Sequence, residues 1–334
     1  MRFFILAVFM VLSAPVYAAG IDCSKATTER ENAICADPRL LKDDQRNAEA
    51  YTAARSKLSD EGRKLLLQSQ RQWLEYVDKS CKKGSGTDSM KTYQRCLQSA
   101  LDVRLDDLQE SGKKSGPFVI IQLPIYNVDI GDQELYLAGN REGRSEFVVS
   151  YPHIDDEKSP QVRAFNDYLK QLAKSQSSDC DSGESDATIS VGAAAENLAS
   201  LSISSDGYCY GTPHGSGRQS AILVDFVSAP RILDSKEVFS ADQKLRDQMV
   251  DLFHNKLSIG DRSYKDADLS DDTLKGLDTA ALNVASWWFK HDGLEFMTSS
   301  YQGGCYVCVV NVEKISWSEI LPFIKSDSPA RRLR

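Results

Sequence analysis

Histidine is scarce in this chain: four among 334 residues, at 153, 214, 254 and 291, none at metal-ligand spacing from another. There is no His-Glu-x-x-His run, no nucleophile elbow and no glycine-rich phosphate loop. The usual zinc-hydrolase, serine-hydrolase and nucleotide-binding readings therefore lack their signatures. No Lys/Arg-rich stripe with interleaved aromatics occurs, so nothing marks a nucleic-acid surface. Beyond the N-terminus no apolar run approaches the roughly 20 residues of a membrane-spanning helix. With catalytic motifs missing, the residues describe a binding protein rather than an enzyme, and no cofactor or metal is expected.

What is present begins with an export signal. Arg2 precedes an apolar run from Phe3 to Leu12, and Val16 and Ala18 stand at the −3 and −1 positions of a cleavage site. Residues 1–18 read as a secretory signal peptide, and the run is too short to span a bilayer. Asp22, not a small residue, precedes Cys23, so a soluble periplasmic or secreted protein is expected rather than a lipoprotein. All eight cysteines, at 23, 35, 81, 96, 180, 209, 305 and 308, follow the cleavage site. An even count in an oxidising compartment implies a disulfide framework. Four lie before residue 100 and four after 175, which suggests two bridges in each of two domains. Without Arg2, 39 basic residues face 48 acidic ones, a net charge of −9. Such a surface suits a cationic partner through long-range attraction.

Residues 19–110 read as helical. Asp37-Pro38 places an N-cap before a proline at the first helical position. Leu41, Ala48, Tyr51, Ala54 and Leu58 then share a stripe. After a cap at Ser59 the pattern continues through Leu66, Leu67, Trp73, Leu74 and Val77, and a last helix carries Tyr93, Leu97, Leu101, Leu105 and Leu108. Residues 111–117 are polar and glycine-containing and read as a linker. Residues 118–325 mix β-rich segments with amphipathic helices. Strands are expected at 118–123, 145–151, 201–210, 221–227, 283–290, 294–301 and 305–313. Helices are expected after Pro160 and after a capping box at Ser240/Gln243, and His291-Asp292-Gly293 is a hairpin turn. The expected architecture is a disulfide-stapled antiparallel helical N-terminal domain, then an α+β domain with a mainly antiparallel sheet, then a tail at 326–334.

Few residues invite a chemical role. His214 lies in a glycine-rich turn beside Tyr208 and Tyr210; these three are the candidate binding residues, although a structural turn histidine is the favoured reading. Cys305-x-x-Cys308 is flanked by strand formers, not by a helix N-terminus that would activate a thiol, so a structural bridge is expected. The carboxylates Asp179, Asp181, Glu184 and Asp186, and Asp266, Asp268, Asp271 and Asp272, read as solvated loops, with an acidic patch for a basic protein as the functional alternative. Trp287, Trp288 and Trp317 are candidates for a sugar platform, with core or sheet positions favoured.

The helical region carries a specific pattern: Cys23-Ser-Lys25-Ala26, Glu31-x-x-Ile34-Cys35, Asp37-Pro38, Leu41, Asp44 and Tyr51, then Gln70-Arg71-x-Trp73-Leu74, Asp78, Cys81 and Cys96. It resembles the N-terminal domain of the lysozyme inhibitor LprI-like family over residues 22–108, with Val77 where that family often has Arg. Gln70, Arg71 and Trp73 are its structural motif. Residues 118–325 are similar, more loosely, to the extracellular lysozyme-binding module of RsiV-like anti-sigma factors, also found beside peptidoglycan deacetylase domains. The matching pieces are Tyr151-Pro152, Phe165-Asn166, Tyr208 to His214, Asp225, Phe239, Asp292-Gly293-Leu294, Phe296 and Tyr301; Ala229-Pro230 replaces a usual glycine.

These resemblances imply a binder, and an inhibitor, of lysozyme or another cationic cell-wall hydrolase. The alternative is an envelope module that binds peptidoglycan or assists a cell-wall enzyme. Helical geometry adds an expectation for the first four cysteines. Cys35 precedes one long helix and Cys81 ends the next, so an antiparallel hairpin brings them together. Cys23, about 18 Å away if its segment is helical, then meets Cys96.

Overall fold

The computed structural model describes residues 20–83, 89–131, 145–155, 157–177, 182–259, 262–263, 271–297 and 310–334. The predicted signal peptide, Cys180 and the Cys305/Cys308 pair lie outside the described residues.

Four helices come first. Thr28 and Glu31 form a capping box that starts α1 (Glu29–Ala36). Asp37 caps α2 (Pro38–Ser56) with proline in its first turn, and the Ser59 hydroxyl accepts from Gly62 N to start α3 (Asp60–Ser80). The last, α4 (Ser89–Glu110), buries Tyr93, Leu97, Leu101, Leu105 and Leu108, the stripe expected from sequence. In α2 the buried face is instead Leu40, Asp43, Asn47 and Ala54, rotated from the expected Leu41–Ala48 line. Two polar residues on the inward face disguised it. Asn47 is held inside by its Nδ2, which donates to the Leu101 and Asp43 carbonyls, both at 3.0 Å, while its buried Oδ1 has no hydrogen-bond partner.

The N-terminal bridges differ from expectation. Cys23 pairs with Cys35 and Cys81 with Cys96, each at a Cα–Cα distance of 5.6 Å. The expected Cys35–Cys81 and Cys23–Cys96 pairs assumed a helix running from 23 to 35. Instead a 3₁₀ turn at Cys23–Lys25 gives way at Ala26 to extended backbone, and Thr28 is also extended. The chain therefore doubles back and returns Cys23 to the end of α1.

Residues 111–117 are not a free connector. Gly112 and Gly116, at φ 80° and 54°, shape a tight return in which β1 (Lys113–Ser115) pairs antiparallel with β2 (Phe118–Asp129), and Ser111 Oγ accepts from Gln122 N at 3.0 Å. The sheet continues through β3 (Ser145–Ile154), β4 (Gly183–Ala195), β5 (Leu198–Cys209), β6 (Ser216–Asp225) and β7 (Arg231–Ile232), in sequence order. Only β3 and β4 are parallel; between them in sequence comes α5 (Pro160–Ser175), capped by Ser159. Residues 183–187, expected in a solvated loop, are strand, because β5 offers them a full antiparallel ladder.

The C-terminal part supplies α6 (Ser235–Val238), α7 (Gln243–Lys256), β8 (Leu257–Ile259), β9 (Arg262–Ser263), α8 (Asp271–Ala281), β10 (Trp287–Lys290), β11 (Gly293–Phe296), β12 (Val310–Val312) and α9 (Trp317–Ile320). Asp242, not Ser240, caps α7, since Ser240 N is held by the Phe323 carbonyl at 2.8 Å. The strand expected from Asn283 starts only at Trp287, after a 3₁₀ turn over Val284–Ser286. His291-Asp292 is the hairpin turn, with Lys290 paired to Gly293. The expected tail is docked: Ala330 and Leu333 are buried in the C-terminal core. Among the described residues the architecture is α+β, with nine α-helices and a mainly antiparallel main sheet.

Alternation along the strands divides the main sheet into two faces. Phe147, Val149, Ala187, Ile189 and Leu201 form one, in a core with Phe165 and Leu169 of α5. On the opposite face Ser150 Oγ donates to Asp107 of α4, and at the far end Phe289 N donates to Ser200 Oγ at 2.9 Å.

Candidate functional site

Beside the part of that second face covered by α4 lies an open cleft of about 520 Å³. Strand register builds its floor. One row runs Glu146–Glu184–Tyr208 across β3, β4 and β5. The next runs Tyr126–Val148–Asp186–Asp206–Gly217 across β2 to β6. Register partners share a face, so four carboxylates enter one lining, with Trp73, Tyr76 and Val103 from α3 and α4 as the wall. Among the described residues no Lys, Arg or His is in the lining.

The wall is rigid. Tyr76 and Tyr126 stack at 4.3 Å between centroids and 12° between planes, and the Tyr76 hydroxyl donates to Glu146. Trp73 Nε1 donates to the Ala100 carbonyl at 3.2 Å. Burial pushes the Tyr126 phenol upward, so it stays neutral. Glycines keep the floor low. A Cβ on Gly215 would stand 2.7 Å from the Gly207 carbonyl oxygen, so only glycine fits there without a shift.

Electrostatics sharpen the picture. Asp186 and Asp206 are direct cross-strand partners, and like charges so placed repel. Desolvation first, then the Asp206 charge, raise the Asp186 pKa above its ordinary value. Neither carboxylate has an ion-pair partner among the described residues. Ser185, between Glu184 and Asp186, is in register with Phe147, so its hydroxyl belongs to the opposite sheet face, where it has no hydrogen-bond partner.

Of the sequence-predicted binding residues, Tyr208 lines the cleft. It is 43 % exposed, and its hydroxyl donates to the Thr212 carbonyl at 3.0 Å. Tyr210 stands beside it, rings in edge contact at 6.2 Å, and its hydroxyl donates to Glu184 Oε1 at 2.6 Å. His214 sits in the β5–β6 turn outside the lining, its Nδ1 3.0 Å from the Gly215 carbonyl oxygen. Cys209, next to Tyr208, is disulfide-bonded; its partner lies outside the described residues.

In the helical motif, Gln70 accepts from the buried Arg104 Nε at 3.1 Å, Arg71 is exposed and Trp73 borders the cleft. Trp287 and Trp317 are core residues and form no exposed platform; Trp288 is half-buried. Asp271 and Asp272 open α8, where acidic residues suit the helix dipole. Asp179, Asp181, Asp266 and Asp268 lie outside the described residues.

Sequence reasoning missed Glu146, Asp206, Tyr76 and Tyr126. A signal existed: Glu146 and Val148, Glu184 and Asp186, and Asp206 and Tyr208 are each two residues apart, the spacing of one strand face. Register, which no local pattern states, was needed to align the three pairs. Among the described residues no group of His, Cys, Asp or Glu is arranged to hold a metal, and no helix is long and apolar enough to cross a membrane.

Comparison with known proteins adds one sequence match. Residues 23–108 match the family described as "Lysozyme inhibitor LprI". No curated protein matches the chain. Two solved structures are similar in part: a DUF3298 family member from Bacteroides fragilis, 15 % identical, covering 66 % of this chain and 99 % of its own at a TM-score of 0.39; and a DUF3298 family protein from Pseudomonas aeruginosa, 14 % identical, covering 64 % of this chain and 96 % of its own, also at 0.39.

Proposed function

We propose that the chain is an exported binding protein that recognises and inhibits lysozyme or another cationic cell-wall hydrolase. The observation that carries this reading is the match of residues 23–108 to a family described as lysozyme inhibitors. The net negative charge and the carboxylate-lined cleft supply the electrostatic complement that such an enzyme needs. The likeness of residues 118–325 to the lysozyme-binding modules of RsiV-like factors agrees with it. An inhibitor acts by occluding the enzyme's catalytic cleft with a well-packed surface and needs no catalytic group of its own.

The test is binding of the purified, disulfide-intact protein to immobilised c-, g- and i-type lysozymes at low salt, with purified peptidoglycan as a parallel arm. Association is expected to slow as salt rises past roughly 0.15 M, where charges are screened beyond about 8 Å. Suppression of cell-wall lysis should follow binding. No binding to any class at low salt overturns the proposal, and retention on peptidoglycan alone replaces it with the envelope-module reading.

A further inference from the structure

A second groove, of about 510 Å³, runs along the outer edge of β2 between α3 and α5. Its floor is apolar: Leu123 and Tyr151 are buried, Leu65 and Ile125 half-buried. Its rim is basic. Exposed Lys79 stands on the α3 wall, and exposed Lys170 and Lys174 stand on the α5 wall. Among the described residues Glu75 is the one acidic group in the lining. Residues 111–334 carry 23 basic and 32 acidic residues, so a trough rimmed by three lysines runs against the charge of the sheet domain it flanks.

Local pairing does not account for these lysines. Glu75 and Lys79 have the spacing of a helical ion pair, yet Lys79 Nζ donates to the Val128 carbonyl. Lys170 and Lys174, also four apart, set like charges side by side on α5, and no ion pair among the described residues uses either. The dipole at the end of α5 accounts for Lys174 in its last turn, and leaves Lys170 unexplained. The strand edge beneath them is closed to peptides. Asp155 N, at the end of β3, donates to the Val119 carbonyl, whereas Gln122 N donates away from β3, to Ser111 Oγ. Even-numbered backbone groups of β2 therefore point to the outer edge. There Pro124 has no N–H, and Lys79 occupies the Val128 carbonyl. Proline and lysine so placed bar a further strand. What the groove still suits is a flexible apolar chain that needs no backbone partner and carries a negative head to the lysines. Its volume lies in the range of pockets that enclose a small ligand.

We propose that this groove binds a long-chain carboxylate, with the acyl chain on Leu65, Leu123 and Ile125 and the head group at Lys170 and Lys174. The inference goes beyond the lysozyme reading and does not rest on it, since the same lysines would repel a cationic hydrolase from this face.

The probes are octanoate, decanoate and dodecanoate below their micellar concentrations, with neutral dodecanol as the control. Each is titrated into the disulfide-intact protein by calorimetry at low ionic strength, with NMR of the methyl groups to locate it. The expected result is saturable one-to-one binding of dodecanoate with shifts at Leu65 and Ile125. A fully buried methylene tightens binding about four-fold, so each two-carbon step in this open groove should give at least four-fold. Dodecanol should bind about five-fold more weakly than dodecanoate, the effect of two exposed charges. Lys170→Gln/Lys174→Gln should lose the same factor for dodecanoate and nothing for dodecanol. Both side chains are exposed, so this variant should fold, and the chain-length series tests the parent without it. Affinity independent of chain length, dodecanol as tight as dodecanoate, or dodecanoate bound equally by parent and variant each overturns the proposal. So does the absence of binding, or a set of shifts elsewhere in the molecule. An acidic leucine-rich peptide that binds more tightly than dodecanoate, or a dimer that the variant dissociates, would give the groove to another occupant and overturn it as well. Lysozyme binding should be the same for parent and variant, so either reading can fail without the other.

Discussion

Asp107 allows the packing of helices on sheet to be read as a function of pH. It lies on α4, 5 % exposed, accepts from Ser150 Oγ of β3 and stands 3.9 Å from the buried Arg104 guanidinium. Arg104 is itself tied to Gln70 and Ser69 of α3. Burial pushes the Asp107 carboxyl up to about 6 from 3.8, against the opposing pull of Arg104 and Ser150. Between those two values the folded protein keeps a proton that the unfolded chain has released. Stability therefore falls as pH rises from about 4 to about 6, and the loss is complete above the folded value. At 1.36 kcal/mol per pH unit the total is about 3 kcal/mol. Asp107→Asn cannot ionise, and its amide oxygen can still accept from Ser150. Urea unfolding followed by tryptophan fluorescence should show the parent losing about 3 kcal/mol relative to the variant between pH 4 and 6. A stability difference that stays flat across that window refutes the reasoning.

Three further outcomes are expected. Gly62→Ala, which ordinarily gains about 1 kcal/mol in a helix, should instead destabilise: its Cβ would fall 2.4 Å from Asp155 Oδ1, and that carboxylate holds Ser59 N and Oγ, both at 2.6 Å. A higher melting temperature for Gly62→Ala would contradict this packing. Peptide mapping without reductant should find Cys23 linked to Cys35 and Cys81 to Cys96, and losing either bridge should cost about 3 kcal/mol for loops of this size; a peptide joining Cys35 to Cys81 would show another fold. Phe165→Ala, which empties a fully buried site stacked on Phe226 at 4.2 Å, should cost roughly 3–5 kcal/mol in chemical denaturation, and a loss below about 1 kcal/mol would mean that the core there is not closed.

Much of the helical part was legible because its determinants are local. Asp37 before Pro38 and the cap at Ser59 announce helix starts through groups that act within one turn, and the α4 stripe keeps its 3.6-residue period. The stripe of α2 was misread because Asp43 and Asn47 face inward, held by bonds to Arg46 and to the Leu101 carbonyl that the sequence does not display. The cysteines were misjudged for a related reason: a break to extended backbone over a few residues before Glu29 reverses the path of Cys23. At the cleft, residues 183–187 read as a solvated loop because their charges and glycine suit one, yet the β5 ladder makes them strand.

By itself, then, the sequence determined the class of elements, the caps that start the helices, the acidic balance and the resemblance of residues 22–108, all properties of composition or of contacts within a few residues. The disulfide partners, the conversion of 111–117 into a β-turn and strand, the docking of the C-terminal residues and the meeting of Glu146, Glu184, Asp186 and Asp206 on one face were decided only by tertiary structure. Each depends on strand register or chain reversal between residues distant in sequence, and a period-two pattern fixes which face a side chain takes without fixing which neighbour it meets.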